Sequence, residues 1–141
     1  MVIPDRLYIR GKFRDLPKEE KLAALRGAGI TVVICTLLRI HDQDLVDCDG
    51  LIYEVHPVPD GKTVPVRVYE SVASRVVAYL TAGHTVLVHC WGGRNRSGLV
   101  VALALRRWEG ISGAEAYARV RQAKSDALRN PVFAEFLQRL P

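Results

Sequence analysis

The segment from His89 to Gly98 reads HCWGGRNRSG, and five residues, Trp91, Gly92, Gly93, Arg94 and Asn95, separate a cysteine, Cys90, from an arginine, Arg96. A thiolate is a nucleophile, and a guanidinium presents a planar fork of donors matched to two oxygens of a phosphate, which lysine does not reproduce. Gly92 and Gly93 permit the backbone angles of a tight curl, in which successive N–H groups can turn inward as a nest for an oxyanion. Where such a curl opens a helix, the helix dipole adds to the field, and helix N-termini and cationic neighbours favour an ionised thiol. A strand, a glycine loop and a helix also occur where a chain merely turns. The joint pattern of His, Cys, a glycine pair, Arg and Ser is far more specific than a lone glycine motif and points to a phosphate-binding catalytic loop.

The elements that must position this loop alternate along the chain. Leu7 to Ile9 reads as a short strand. Pro17 to Ala28 reads as a helix, with Pro17 suited to its first turn, Glu19 and Glu20 near its positive end and Gly29 after its last turn. Thr31 to Leu38 is β-branched and apolar, as a buried strand is, and Leu51 to Val55 is another strand, ended by the proline-bearing loop HPVPDGKTVP. Val68, Val72, Val76 and Leu80 at fourfold spacing predict a helix over 66 to 82, closed by Gly83. Thr85 to His89 makes a strand. From Ser97 to Trp108 the chain is apolar on nearly every side, which describes a helix buried within the fold. Ser112 and Glu115 form a capping box for the next helix, and Asn130 and Pro131 start a last one, with Phe133, Phe136, Leu137 and Leu140 on one face. Strands alternating with helices imply an α/β fold with a central, mainly parallel sheet of four to five strands flanked by helices. Ligands bind beyond the carboxyl ends of such strands, the edge where the loop after Val88 lies.

The chain has 141 residues, 49% hydrophobic and 25% charged, which are ordinary globular values for one domain over residues 1–141. No uninterrupted apolar run approaches the roughly 18 residues of a membrane span, and MVIPDRLYIR lacks the apolar stretch of a secretory signal, so a cytoplasmic protein is expected. The formal charge is +5, unevenly spread: residues 1–40 carry eight Lys/Arg and four acids, residues 41–60 carry six acids and no Lys/Arg, and residues 61–141 carry twelve Lys/Arg and five acids. An anionic partner fits this balance. Asp42, Asp44, Asp47 and Asp49 read as a solvated acidic loop, since the glycine and final glutamate of a calcium loop are missing. Three cysteines with no CxxC pair give neither a disulfide framework nor a zinc site, and Cys35, within an apolar run, reads as an inert small hydrophobe.

The segment HCWGGRNRSG resembles the HCxxGxxRS pattern of the cysteine-dependent protein tyrosine phosphatase superfamily, and the compact size and the opening LYIRG resemble its dual-specificity branch. The low-molecular-weight phosphatases and arsenate reductases share the Cys/Arg loop but carry it close to the N-terminus, and rhodanese-like domains lack the Arg-Ser arrangement. The resemblance implies two steps without a cofactor or metal. Cys90 attacks phosphorus and forms a phosphocysteine, which water hydrolyses, while backbone N–H groups of residues 91 to 96 and the Arg96 guanidinium hold the oxygens. It also implies that the Ser97 hydroxyl helps the sulfur leave and that His89 orders the loop and keeps Cys90 ionised. A histidine ending a strand can equally be structural.

The leaving oxygen needs a proton, hence a carboxylic acid at the mouth of the loop. Asp60 is the candidate: it lies in the proline-bracketed turn VPDGKTVP and precedes Cys90 by thirty residues, about the separation in dual-specificity relatives. Asp60-Gly61 could instead make only a tight turn, with Asp42, Asp44, Asp47 or Asp49 as the acid. The expected substrate is a phosphorylated protein, carrying phosphotyrosine or phosphoserine/phosphothreonine. Arg94 and Lys62 keep a phosphoinositide as the alternative, with RNA 5′-phosphate chemistry behind both. Trp91 could offer a stacking surface or pack locally. No basic stretch with interleaved aromatics is present, so no nucleic acid partner is expected, and a monomer is. A non-catalytic phosphate-binding module is the alternative of a different class. Whether Cys35 or Cys48 could trap Cys90 as a disulfide is left open.

Overall fold

The computed structural model describes residues 1–141 apart from 12, 14 and 41. Four strands, β1 (Leu7–Arg10), β2 (Val32–Cys35), β3 (Ile52–Val55) and β4 (Val86–His89), form one wholly parallel sheet in the order β1-β4-β2-β3. The register places Arg10 and Cys35 on either side of His89, so three strands end at one level, directly beneath the loop that follows His89.

Among the described residues, five helices cover the sheet: α1 (Lys18–Gly27), α2 (Val66–Thr81), α3 (Arg96–Glu109), α4 (Gly113–Ala123) and α5 (Pro131–Arg139). Side chains alternate along each strand. Val32, Ile34, Val86 and Val88 join the large core shared with α2 to α5, while Val33 and Leu87 join Phe13, Leu25, Ile30 and Leu45 on the α1 side. Every residue from Ser97 to Leu105 of α3 is buried, as its all-round apolar sequence requires. Ser112 accepts a hydrogen bond from the Glu115 N–H at 3.1 Å, and Asn130 caps α5 by accepting from the Val132 N–H at 3.0 Å.

Two segments depart from the sequence reading. Strand β2 stops at Cys35 rather than running to Leu38, because the Thr36 N–H and hydroxyl both donate to the carbonyl of His89, each at 2.9 Å, and the chain leaves the sheet there. The acidic segment is not wholly solvated. A single 3-10 turn, Gln43–Leu45, anchors Leu45 in the α1-side core and turns the preceding Asp42 inward. Asp42 is 1% exposed, a correction to the solvated loop, whereas Asp44, Asp47 and Asp49 are exposed.

Candidate active site

The loop from Cys90 to Asn95 links the central strand to the first turn of α3, and its shape is fixed by what packs outside it. Gly93 has φ +67, and a Cβ there would stand 2.4 Å from backbone atoms of Arg10 and Gly11, so only glycine lets the end of β1 approach so closely. Gly92 needs no such freedom: its φ is not positive, and a Cβ would meet only the Arg94 side chain at van der Waals distance. On the other side, the Leu128 N–H donates to the Arg94 carbonyl at 3.1 Å.

The curl bounds a cavity of about 210 Å³ lined by Asp60, Cys90, Trp91, Gly92, Arg94, Asn95 and Arg96. Of the expected phosphate-binding residues, Gly93 does not line it; it faces the β1 backbone instead. Cys90 is 3% exposed, and its sulfur lies 3.2 Å from the hydroxyl of the buried Ser97. Trp91 stands at the mouth, 56% exposed, and Arg94 donates to Asp126 at 3.2 Å. An adjoining groove lined by Leu38, Pro57, Val58 and Pro59 shares Arg96 with the cavity, and Leu38 is 80% exposed there.

Asp60 reaches this cavity from the loop after β3. The loop is tied down by the Val58 N–H donating to Thr36 O at 3.1 Å and by the hydroxyl of buried Tyr69 donating to Pro59 O at 2.7 Å. Both carboxylate oxygens of Asp60 accept from amides: Oδ2 from Asn95 Nδ2 at 3.0 Å, Oδ1 from Asn130 Nδ2 at 2.8 Å. The Asn130 backbone N–H in turn donates to Asn95 Oδ1 at 2.8 Å, closing a ring of three residues. From the sequence, Asn130 marks only the start of the last helix, and nothing local tells of its second role.

Beneath the loop lies a polar cluster that sequence reasoning missed. His89 is fully buried, its Nε2 3.2 Å from the hydroxyl of Tyr53 and 3.6 Å from Asp42 Oδ2. Tyr53 donates to that same carboxylate oxygen at 3.0 Å, and burial pushes the phenol well above its usual range, so this proton stays on. Lys21, a helix residue only 5% exposed, lies 3.2 Å from Asp42 Oδ1 and 3.0 Å from Asp44. Burial works against its charge, but the bonds to Asp44 and Asp42 outweigh it and hold the amine above its ordinary value. The one signal in the sequence was Leu45, three residues after Asp42, which places both on one side of a single turn.

A cavity of this size, walled by a cysteine sulfur, an arginine, the uncapped start of a helix and a carboxylate, suits a tetrahedral oxyanion on one carrier atom. Residues 11–110 match the family model described as "Polymorphic toxin system, DSP-PTPase phosphatase". The chain belongs to the dual-specificity branch of the cysteine-dependent protein tyrosine phosphatase superfamily. Mouse cyclin-dependent kinase inhibitor 3 is 28% identical over 123 residues, 80% of this chain and 58% of that protein, so the chain spans less than two thirds of this relative's length. The crystal structure of human dual specificity phosphatase 28 superposes with a TM-score of 0.76 at 29% identity, covering 97% of this chain and 91% of that one. A mouse putative dual specificity phosphatase complexed with zinc tungstate gives 0.79 at 28% identity, covering 98% and 82%. Among the described residues, no helix is long and apolar enough to cross a membrane.

Proposed function

We propose that this chain hydrolyses phosphate monoesters through a phosphocysteine, acting in the cytoplasm as a single catalytic domain on phosphorylated protein. The observation that carries the reading is the convergence of Cys90 and Arg96, from the two ends of one loop, and Asp60, from the loop after β3, on one small cavity. In the first step the Cys90 sulfur forms a bond to phosphorus as the bond to the leaving oxygen breaks, and Asp60 gives that oxygen its proton. Arg96 and the loop N–H groups hold the equatorial oxygens. In the second, water attacks phosphorus, its proton passes to Asp60, and the sulfur departs as thiolate beside the Ser97 hydroxyl, 3.2 Å away. The mouse relative complexed with zinc tungstate holds a tetrahedral oxyanion, in keeping with this reading.

Exposed Trp91 and Leu38 beside the cavity favour an aryl leaving group, hence phosphotyrosine, over a sugar headgroup. Of the two basic residues that keep a phosphoinositide as the alternative, Arg94 is engaged by Asp126 while Lys62 is exposed, which sets the lipid reading second. The test is hydrolysis of an aryl phosphate in the presence of a metal chelator. Turnover that vanadate inhibits and that Cys90→Ser abolishes is expected. Binding of phosphate without turnover would identify a phosphate-binding module, and full activity in Cys90→Ser would exclude the nucleophile.

A further inference from the structure

We propose that the groove of Leu38, Pro57, Val58 and Pro59 is a specificity subsite that takes an apolar side chain two residues from the phosphotyrosine, in a substrate bound as an extended peptide. The inference rests on the phosphoprotein reading above and deepens it, from the class of substrate to the sequence around the phosphorylated residue.

The groove and the phosphate cavity share Arg96, so they form one continuous surface. At about 360 Å³ the groove is larger than the cavity, at about 210 Å³, and a phosphate group therefore leaves it unfilled. Its chemistry selects what else can enter. Of the four residues from His56 to Pro59, the two prolines have no N–H, and the other two donate theirs inward, His56 to Cys35 O at 2.8 Å and Val58 to Thr36 O at 3.1 Å. No backbone donor of this stretch is left for a ligand. Among the described residues that line the groove, Arg96 carries the one polar side chain, and its guanidinium is committed to phosphate when the cavity is filled. Val58, 5% exposed, is the floor beneath exposed Leu38, Pro57 and Pro59. A hydroxylated or multiply phosphorylated headgroup would lose water here and find no donors, whereas an apolar side chain gains by the area it covers.

The groove is also set before anything binds. Fixed φ angles at Pro57 and Pro59, the Val58 bond, and the Tyr69 hydroxyl donating to Pro59 O at 2.7 Å hold its wall, so little ordering is needed on association. Nor does the surface end at Pro57. That residue also lines a second groove, of about 400 Å³, between Val55 at the end of β3 and Val68 on α2. A surface that runs on past the cavity in this way suits a polypeptide crossing it rather than a ligand that stops at the phosphate. In an extended chain successive side chains point to opposite faces, and residues two apart point the same way, about 6.5 Å from each other. With the phosphotyrosine in the cavity, the side chain two positions along is the next to face the same surface, where the groove receives it.

The experiment measures binding of phosphotyrosine peptides to Cys90→Ser by titration calorimetry, with leucine, alanine or glutamate placed two residues before or two residues after the phosphotyrosine in an otherwise fixed sequence. At one of these positions leucine is expected to bind about tenfold more tightly than alanine. When Leu38→Lys is added, that advantage is expected to vanish and glutamate to become the preferred residue. Leu38 is 80% exposed, so the exchange leaves the fold intact, and a ratio taken within one variant cancels any general loss. Equal affinities for leucine and alanine at both positions, an unchanged preference in the Leu38→Lys chain, or tighter binding of a soluble inositol bisphosphate than of any peptide overturns the proposal. Because binding is read without turnover, the two readings fail separately. A leucine preference in a chain whose wild type hydrolyses no phosphate ester keeps the subsite and removes the phosphatase; hydrolysis of aryl phosphate with a flat peptide panel does the reverse.

Discussion

Asp60 meets the cavity with both carboxylate oxygens held by amides, one from the loop it faces and one from the cap of α5. Those contacts fix where a proton would be delivered, so removing the acid and removing its holder should differ in degree and agree in kind. Asp60→Asn is expected to slow hydrolysis roughly 10²–10⁴-fold for poor leaving groups and little for good ones, the mark of a lost proton donor. Asn130→Ala should give a smaller loss with the same dependence on the leaving group; a uniform loss in both would point to another acid. Measured rates across a series of aryl phosphates decide. The residues around the cavity could be named from the sequence because a Cys, a glycine pair and an Arg within one short run carry their chemistry in their spacing. Asp42 could not. Its neighbours in sequence are acids that do face water, and its burial depends on Lys21 from α1 and Tyr53 from β3, which only the folded chain brings to it.

The strands and helices were legible to within a residue or two, since their apolar periods are local. The early end of β2 was not, because it follows from a bond between Thr36 and the far-off carbonyl of His89. Two element-level contacts lead to measurements. Gly93 is where β1 touches the loop, and Gly93→Ala would combine a left-handed backbone with a backbone clash at 2.4 Å. A loss of about 3 kcal/mol in chemical denaturation, together with most of the activity, is expected. Elsewhere, β3 is clamped to α2 through Glu54, whose carboxylate accepts from Arg75 at 2.7 and 3.0 Å and from the Tyr79 hydroxyl. The Arg75 bonds, against some desolvation and helped by Tyr79 and His56, lower its pKa from 4.5 to about 2. A depressed carboxylate stabilises the fold above its unfolded value and loses that contribution as pH falls through its folded one. Thermal midpoints of the wild-type chain should therefore decline between pH 4.5 and about 2, and Glu54→Gln should flatten that decline; parallel curves would exclude the clamp.

Over the whole molecule, the net charge of +5 understates how positive the site edge is. Two acids of the dense 41–60 segment are paired within the chain, Asp42 with buried Lys21 and Glu54 with Arg75 on α2, and Asp60 is held by amides. Arg96 lines the cavity and Lys62 follows Asp60 on its exposed loop. Attraction of a dianionic substrate should then weaken with salt, so kcat/KM is expected to fall several-fold as ionic strength rises, chiefly through KM. A flat response would mean the field outside the cavity is negligible. The composition announced an anionic partner but not this arrangement, because a charge count does not say which acids are already neutralised. The clasp between the loop and the chain after α4, made by Leu128 and Asn130, also sets an order of events in synthesis. The nucleophile leaves the ribosome well before the residues that fasten its loop and hold Asp60. A nascent chain that has emerged only as far as α4 presents the sulfur without its outer wall, and the cavity closes only when translation has carried the start of α5 into the open.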